Sequence, residues 1–343
     1  MKKIILIFCL PFLTSCSIRY LVHVTKGQIQ LMTSRQNIQE AIDEQKFTPE
    51  EVQKLSLVLD VRQFGIDTLG LEKTKSYEKV VQLNRPYVAY NIVVCPKDKL
   101  EPVSWSFPFA GSVAYLGFFD LDYAKEYQKD YEAENYDVYL RGVSAYSTLG
   151  WFDDPLFSSM LQYREDTLAN LILHEMAHAT VYVGGNTEFN EGMATFIGNQ
   201  GALDYFEKKH GKNSKFYKNA RASQEDEILF SGFIQKAKQK LTQFYTLTSK
   251  DMVLQKRKQV FQDIQREFKE EISPKLKISY QGFLDLPLNN AVMVGLGQYV
   301  SQLDLFQKIW LKNGKNLKKM ILYLKDSAST ENNNRAQSNV NNR

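Results

Sequence analysis

Two of the four histidines in this 343-residue chain stand four residues apart, with a glutamate directly after the first. The run His174-Glu175-Met176-Ala177-His178 matches the pattern H-E-x-x-H. On an α-helix, residues i and i+4 lie on one face, so both imidazoles can bind a single cation. Glu175 is rotated about 100° around the helix axis and can reach a water on the metal rather than the metal. The spacing therefore predicts a metal site with Glu175 as general base.

The residues around this motif, LANLILHEMAHATVYV, are apolar nearly all round, which is typical of a helix buried in a protein. Buried imidazoles beside a carboxylate require polar partners, and a metal ion supplies one. A chance match on a solvent-facing helix is the alternative, but such a helix does not require apolar surroundings. We therefore predict that His174 and His178 bind one Zn²⁺.

A third protein ligand is expected downstream, because a catalytic zinc ion normally has three protein ligands and one open position for water. The glycines at 184–185 can end the first helix, and Asn186 or Thr187 can cap the next one. Glu191 then falls in the first turn of a helix that returns antiparallel to the histidines. Glu188, three residues earlier, is the alternative third ligand.

The motif and the stretch after it also carry a family resemblance. HEMAH followed by NEGMATF resembles the gluzincin metallopeptidases, whose third zinc ligand is the glutamate of such a stretch on a second helix. The chain more closely resembles a bacterial family of aminopeptidases, many of them lipoproteins, over nearly all of residues 20 to 310. The supporting stretches are GQIQLMTSRQNI, WSFPFAGSVAYLGFFD, RGVSAYSTLGWFDDPLFSS and LNNAVMVGLGQYVSQLDLF. We expect an α+β fold, mainly helical and gluzincin-like, with a small antiparallel sheet before the H-E-x-x-H helix.

The resemblance implies hydrolysis of peptide bonds. Zinc lowers the pKa of its bound water towards ~7 and polarises the scissile carbonyl, while Glu175 takes the proton from that water and passes it to the leaving amine. Related gluzincins stabilise the oxyanion with a tyrosine or a histidine, and by resemblance Tyr299 is the expected residue. A core role for the Tyr299 phenol is the alternative, and His210 is a second candidate in a charged run.

Three alternatives to an aminopeptidase stay open at this point. The exopeptidase signature G-x-M-E-N of aminopeptidase N is absent, and the family's common YRGYF reads YLGFF here, so an endopeptidase is one alternative. A non-catalytic envelope lipoprotein with a structural zinc site is another, although structural zinc usually has four protein ligands and prefers cysteine. The third is a metal-dependent hydrolase that acts on a substrate other than peptides.

Peptide substrates are expected to bind in extended form along an exposed sheet edge, by main-chain pairing. Residues 111–119, GSVAYLGFF, are the candidate edge, and an ordinary hairpin is the alternative. Five acidic residues are candidates for holding a free N-terminal ammonium group: Asp120, Asp122, Asp153, Asp154 and Glu188.

The N-terminus, MKKIILIFCLPFLTSC, combines a basic start with an apolar stretch from Ile4 to Leu13. This stretch is too short for a bilayer-spanning helix, which takes ~20 residues, and it indicates an export signal. Leu-Thr-Ser-Cys resembles the bacterial lipobox, which implies that Cys16 becomes the lipid-modified first residue of the mature protein. An ordinary signal peptide with an incidental cysteine is the alternative. We expect a lipid-anchored protein of the bacterial cell envelope, and Ser17 after the lipid cysteine favours the outer membrane.

Charge and cysteine content argue against a nucleic-acid partner and against an internal disulfide. The chain has 43 Lys and Arg against 39 Asp and Glu, a formal charge of +4, which gives no support for a nucleic-acid partner. Cys9 leaves with the signal segment and Cys16 carries the lipid, so Cys95 has no cysteine with which to form an internal disulfide. Cys95 ends a β-like run and is expected to be a buried structural thiol.

Hydrophobic periodicity predicts helices within residues 24–60, strands at about 87–94 and 138–143, and a hairpin punctuated by Pro108 and Gly111. After Glu165 the chain is expected to be almost wholly helical. The predicted helices lie at 165–183, 190–208, 222–247, 250–273 and around 288–312. We expect a signal peptide at 1–15, a metallopeptidase domain at 16–325 and a disordered tail at 326–343, because the tail has few apolar residues.

Overall fold

The computed structural model describes residues 15–107, 111–145, 153–184, 186–297 and 303–341. The elements before residue 158 are α1 (Ser15–Thr33), β1 (Gln36–Asn37), α2 (Ile38–Asp43), α3 (Pro49–Phe64), β2 (Lys79–Val81), β3 (Ala89–Cys95), β4 (Trp105–Phe107), β5 (Gly111–Val113), β6 (Leu116–Phe118), α4 (Leu121–Ala133), β7 (Asp137–Val143) and β8 (Leu156–Phe157). The later helices are α5 (Glu165–Thr180), α6 (Thr187–His210), α7 (Lys215–Leu247), α8 (Lys250–Glu267), α9 (Asn290–Gly297), α10 (Leu303–Lys312) and α11 (Leu317–Asn341). Small sheets precede a helical body, so the predicted α+β class is confirmed.

Helix α3 shows how local sequence sets an element. The Thr48 hydroxyl accepts a hydrogen bond from the Glu51 backbone N–H, and the Glu51 carboxylate accepts one from the Thr48 N–H. Pro49 occupies the first helical position, where its missing N–H costs nothing. A helix is therefore confirmed here, within the range 24–60 where periodicity predicts helices.

In the part of the chain that the structure describes, the strands form three small sheets. β3 lies between β6 and β7 in an antiparallel sheet, with Ile92 opposite both Leu116 and Leu140. β4 and β5 pair antiparallel, which confirms that pairing of the predicted hairpin, while its connecting residues 108–110 lie outside the described chain. The third sheet was not predicted: β2 pairs antiparallel with β1 and parallel with β8, so the prediction of one purely antiparallel sheet was too simple.

Helix α1 covers the outer edge of β6. The Tyr20 hydroxyl donates a 3.1 Å hydrogen bond to the Gly117 carbonyl, and the Phe119 backbone N–H donates a 3.0 Å bond to Nε2 of His23. These are main-chain groups that an added strand would use. The prediction of an open peptide-binding edge is therefore wrong for residues 117–119.

Helix α5 lies at the centre of the helical body and packs against α3, α6 and α7. The side chains of Leu168, Ile172, Leu173, Met176 and Ala177 are all buried in the largest hydrophobic core. Burial of this face leaves the opposite face for polar residues. The prediction of a buried helix at the motif is therefore confirmed, although α5 ends at Thr180 rather than at residue 183.

The last helix, α11, continues to Asn341, and disorder of residues 326–343 stays a prediction. Ala328 is buried against the main core. The hydroxyls of Ser327, Ser329 and Thr330 donate hydrogen bonds to the carbonyls four residues earlier, at 2.8 to 3.0 Å. The first half of α11 packs on the main core, and the polar residues that follow continue the same helix.

The N-terminal predictions fall largely outside the described chain. Residues 1–14 of the predicted signal peptide 1–15 and the Cys16 side chain are not among the described parts, so cleavage and lipidation stay predictions. In the described ranges, every helix is too short or too polar to span a bilayer.

Candidate metal centre

The first turn of α5 is fixed by ionic contacts. The Arg164 guanidinium forms two 3.0 Å hydrogen bonds with the buried Asp166 carboxylate, and the Ser223 hydroxyl of α7 donates a 2.6 Å bond to the same group. Negative charge in the first turn also interacts favourably with the helix dipole. These contacts tie α5 to α7 two turns before His174.

The chain then reverses into α6 through a turn held by Asn190. The amide oxygen of Asn190 accepts a 2.9 Å bond from the Val183 N–H, and its amide nitrogen donates a 2.9 Å bond to the Val183 carbonyl. Asn186 caps α6 by accepting from the Phe189 N–H, which confirms one of the two predicted caps. Because Asn190 is buried and makes both bonds, the position of Glu191 immediately after it is fixed.

Close packing of α6 on α5 depends on Gly198. A Cβ at this position would lie 2.8 Å from the Asn170 carbonyl oxygen and 3.1 Å from Cβ of His174, where ordinary contacts begin at 3.4 Å. Only glycine allows the two helix backbones to approach this closely. The residue therefore sets the distance between the helix of the histidines and the helix of Glu191.

The three predicted ligand side chains come together between these helices. Nε2 of His174 lies 3.1 Å from Nε2 of His178. The Glu191 carboxylate oxygens lie 3.6 Å from His174 Nε2 and 3.5 Å from His178 Nε2. Within the described residues this is the group of three His, Cys, Asp or Glu side chains whose ligand atoms lie close enough to share one ion.

These distances fit a single tetrahedral zinc ion. Two ligand atoms that are each ~2.0–2.1 Å from such an ion are about 3.3–3.4 Å apart, and the three measured separations lie on either side of that value. The donors are also of the type that zinc prefers, two imidazole nitrogens and one carboxylate. Glu191 is more exposed than either imidazole, so the group opens to solvent on the side of the carboxylate.

The charges of the three groups stabilise one another. Burial would raise the pKa of Glu191, but the close imidazoles of His174 and His178 outweigh burial and lower it. Burial would lower the pKa of His174, but the close Glu191 carboxylate and the charge of Glu175 raise it. The site is thus strongly suited to holding positive charge between the two helices.

Glu175 is half-buried and is not part of the ligand group. Its charge acts on His174 and also on Tyr77, a buried phenol that the sequence analysis does not include among the site residues. Burial raises the pKa of Tyr77 well above its usual value, and the negative charges of Glu175 and Asp154 raise it further. Tyr77 therefore stays protonated beside the predicted base, and no local sequence pattern connects the two residues.

Three further polar residues lie behind His174. The Asn170 side-chain amide donates a hydrogen bond to the Asn199 side-chain oxygen, and the Asn199 amide donates a 2.8 Å bond to the Glu227 carboxylate. Burial raises the pKa of Glu227, while the hydrogen bond from Asn199 and the charge of His174 act in the opposite direction. Of these three residues, only Asn170 could have been linked to His174 from the sequence, because it precedes His174 by four residues on the same helix face.

These residues also border a polar cavity of about 220 Å³ between α5, α6 and α7. Its lining includes Thr167, Asn170, Asn199, Ser223, Glu227 and Tyr280. The cavity follows the same face of α5 that carries His174 one turn later. Its lining residue Asn170 precedes His174 by one helical turn, on the side away from His178.

The remaining candidates for the metal centre, Tyr299, Glu188 and His210, are not among its three ligand side chains. Tyr299 is outside the described residues, so its role stays a prediction. Glu188 is exposed and is not part of the ligand group. His210 ends α6, 19 residues or about 28 Å along the helix from Glu191, and packs on Phe216 at 4.7 Å between ring centroids. A role for His210 at this site is excluded by that separation.

The five acids proposed for the substrate ammonium differ in position. Asp120 caps α4 by accepting from the Tyr123 N–H, and Asp154 is buried near Tyr77. Of the five, Asp154 therefore has an electrostatic connection to the residues around Glu175. Cys95 is buried, and burial followed by the charge of Asp137 raises the pKa of its thiol to about 12, which confirms a structural thiol.

Comparison with known protein families gives a match over most of the chain. Residues 19–338 match the family described as "Putative aminopeptidase". No curated protein and no solved structure matches the chain. The matched region contains α5, α6 and all three side chains of the ligand group. Because the match spans nearly the whole chain, this protein belongs to that aminopeptidase family.

Proposed function

We propose that this protein is a zinc-dependent peptidase, anchored to the bacterial cell envelope by a lipid on Cys16. His174, His178 and Glu191 would hold one Zn²⁺, and Glu175 would act as general base. The observation that carries the proposal is the set of three separations between 3.1 and 3.6 Å among the ligand atoms. Membership in an aminopeptidase family supports peptides as the substrate class.

Zinc, when bound, supplies a Lewis acid that activates water and polarises a carbonyl group. The residues of the chain supply the proton transfers. The Glu175 carboxylate accepts a proton from the attacking water and delivers it to the nitrogen of the leaving amine, so that the C–N bond breaks without expelling an amide anion. Tyr299 is proposed to stabilise the oxyanion.

Two features support catalysis over a purely structural zinc ion. The ligand group has three protein side chains, whereas structural zinc sites usually have four and favour cysteine. Glu175 is half-buried beside the ligands, and its charge acts on the buried Tyr77. A structural zinc ion requires only its ligands, whereas a catalytic zinc ion also requires a base such as Glu175 that does not bind it.

The test is turnover of a peptide library by the purified full chain, with zinc content measured on the same samples. Each peptide is supplied with a free and with an N-acetylated terminus. We expect one zinc per chain, and we expect cleavage of the free peptides that a zinc chelator abolishes. Glu175→Gln should retain zinc and lower kcat by about 10²–10⁴-fold, the usual contribution of a general base.

Glu188→Gln is the matched control, because Glu188 is exposed on the same turn of α6 as Glu191 and is outside the ligand group. It should leave zinc content unchanged. Stoichiometric zinc without cleavage of any peptide would favour the structural site or a non-peptide substrate. Equal cleavage of acetylated peptides would favour an endopeptidase.

A further inference from the structure

Helix α1 has one apolar face packed against the protein. Tyr20, Gly27 and Leu31 are buried on this side, and the Tyr20 and His23 side chains bind the edge of β6. The spacing of these residues is that of a single helix face. One side of α1 is therefore fully used in holding the helix on the sheet.

The opposite side of α1 is also apolar, yet it faces solvent. The exposed fractions are 52% for Ile18, 43% for Leu21, 62% for Val22 and 57% for Ile29. At about 100° per residue these four side chains, with Thr25, occupy roughly a third of the helix circumference. The face extends about 16 Å along the axis from Ile18 to Ile29. Contiguous exposed apolar surface of this kind usually marks a site of contact with another protein or with a membrane.

The charges of α1 indicate which surface covers this face. Lys26 and Arg19 border it on one side, Arg19 with a 3.0 Å ion pair to the exposed Glu126 of α4, and the helix itself contains no acidic residue. An apolar face with a basic border is the pattern of helices that lie in the interface of an anionic bilayer. A protein partner would require no such bias in charge.

The position of the face in the chain points the same way. Ile18 and Val22 lie in the first two turns of α1, directly after Cys16 and the apolar stretch Ile4–Leu13. A lipid on Cys16 brings these turns to the membrane surface. We infer that the exposed face of α1, formed by Ile18, Leu21, Val22 and Ile29, docks on the surface of a lipid bilayer.

This inference rests on the proposed anchoring at Cys16, and it adds an orientation to that anchoring. A single acyl-modified residue on a flexible segment leaves a protein free to rotate. Docking of α1 fixes the rotation, because the other face of the same helix is hydrogen-bonded to β6. The sheet is then held at a set distance from the membrane.

The test uses the full chain, processed in cells and reconstituted into vesicles of phosphatidylethanolamine and phosphatidylglycerol, with or without bromine on the acyl chains. Tryptophan is introduced as Val22→Trp, Ile29→Trp or, as the control, Leu247→Trp. Leu247 is 84% exposed at the end of α7. Brominated lipid quenches indole emission on contact. The emission of the unsubstituted protein is subtracted in each lipid.

We expect the added emission of Val22→Trp and Ile29→Trp to be mostly lost in brominated vesicles, and that of Leu247→Trp to be retained. Quenching of Val22→Trp alone would show only proximity to the anchor and would overturn docking of the face. Equal behaviour of all three variants would also overturn it. Flotation of the vesicles separates the two proposals, since a protein that does not float with them lacks the anchor itself. Zinc content and peptidase activity are independent of both readouts.

Discussion

Substitution of Gly198 by alanine tests how closely α5 and α6 must approach for the metal site to form. The new Cβ would lie 2.8 Å from the Asn170 carbonyl oxygen, which is backbone, and 3.1 Å from His174 Cβ. Ordinary contacts begin at 3.4 Å, so α6 must move from α5 by about 0.6 Å at this point. Overpacking of this kind costs about 1–3 kcal/mol.

The same shift affects the ligand group. Zinc–ligand distances tolerate only about ±0.2 Å, and Glu191 lies two turns from Gly198 on the helix that moves. We therefore expect Gly198→Ala to weaken zinc binding by roughly tenfold or more, equivalent to at least about 1.4 kcal/mol. The assays are thermal unfolding of the zinc-free protein, followed by circular dichroism, and zinc competition against a chromophoric chelator.

Gly232→Ala is the matched control. Gly232 lies on the exposed side of α7, and a Cβ there meets nothing within 4 Å. Replacing a helical glycine by alanine in open space stabilises by about 1 kcal/mol. The two substitutions are chemically identical, so any difference between them is steric. If Gly198→Ala were as stable as Gly232→Ala and bound zinc as tightly as the parent chain, the close-approach argument would be refuted.

Three more outcomes are expected. Asn190→Ala should destabilise the protein by about 1–3 kcal/mol, because it leaves the buried N–H of Val183 unpaired, and chemical denaturation should show this as a lower midpoint with an unchanged slope. Glu227→Gln should weaken zinc binding by about 10-fold without unfolding the chain, since it removes the buried negative charge that acts on His174; unchanged affinity in the chelator competition would contradict that role. In the zinc-free protein the pKa of Glu191 is lowered, so its charge stabilises the folded state at pH values above its unfolded pKa of 4.5. The pKa of His174 is raised, so its charge stabilises the folded state at pH values below its unfolded pKa of 6.5. The unfolding temperature of the parent chain should therefore exceed that of Glu191→Gln most between about pH 4.5 and 6.5, with the difference shrinking at lower pH and again as pH rises through the folded pKa of His174.

The sequence was sufficient wherever the signal was local. Two histidines four apart must share a helix face, and Asn186 followed by a carboxylate in the next turn indicates a chain reversal that returns Glu191 to them. The strand around Ile92 and the helix start at Thr48 were likewise readable, because side-chain alternation and capping depend on neighbours a few residues away.

Tertiary structure alone decided the features that join distant parts of the chain. Asn199 and Glu227 reach the back of His174 only because α7 packs across α5 and α6, and Tyr77 lies beside Glu175 although almost a hundred residues separate them. The edge of β6 was readable as a strand, but nothing local indicated that α1 covers it. Periodicity reports which face of an element is buried, whereas the partner that buries it is chosen by the packing of the whole chain.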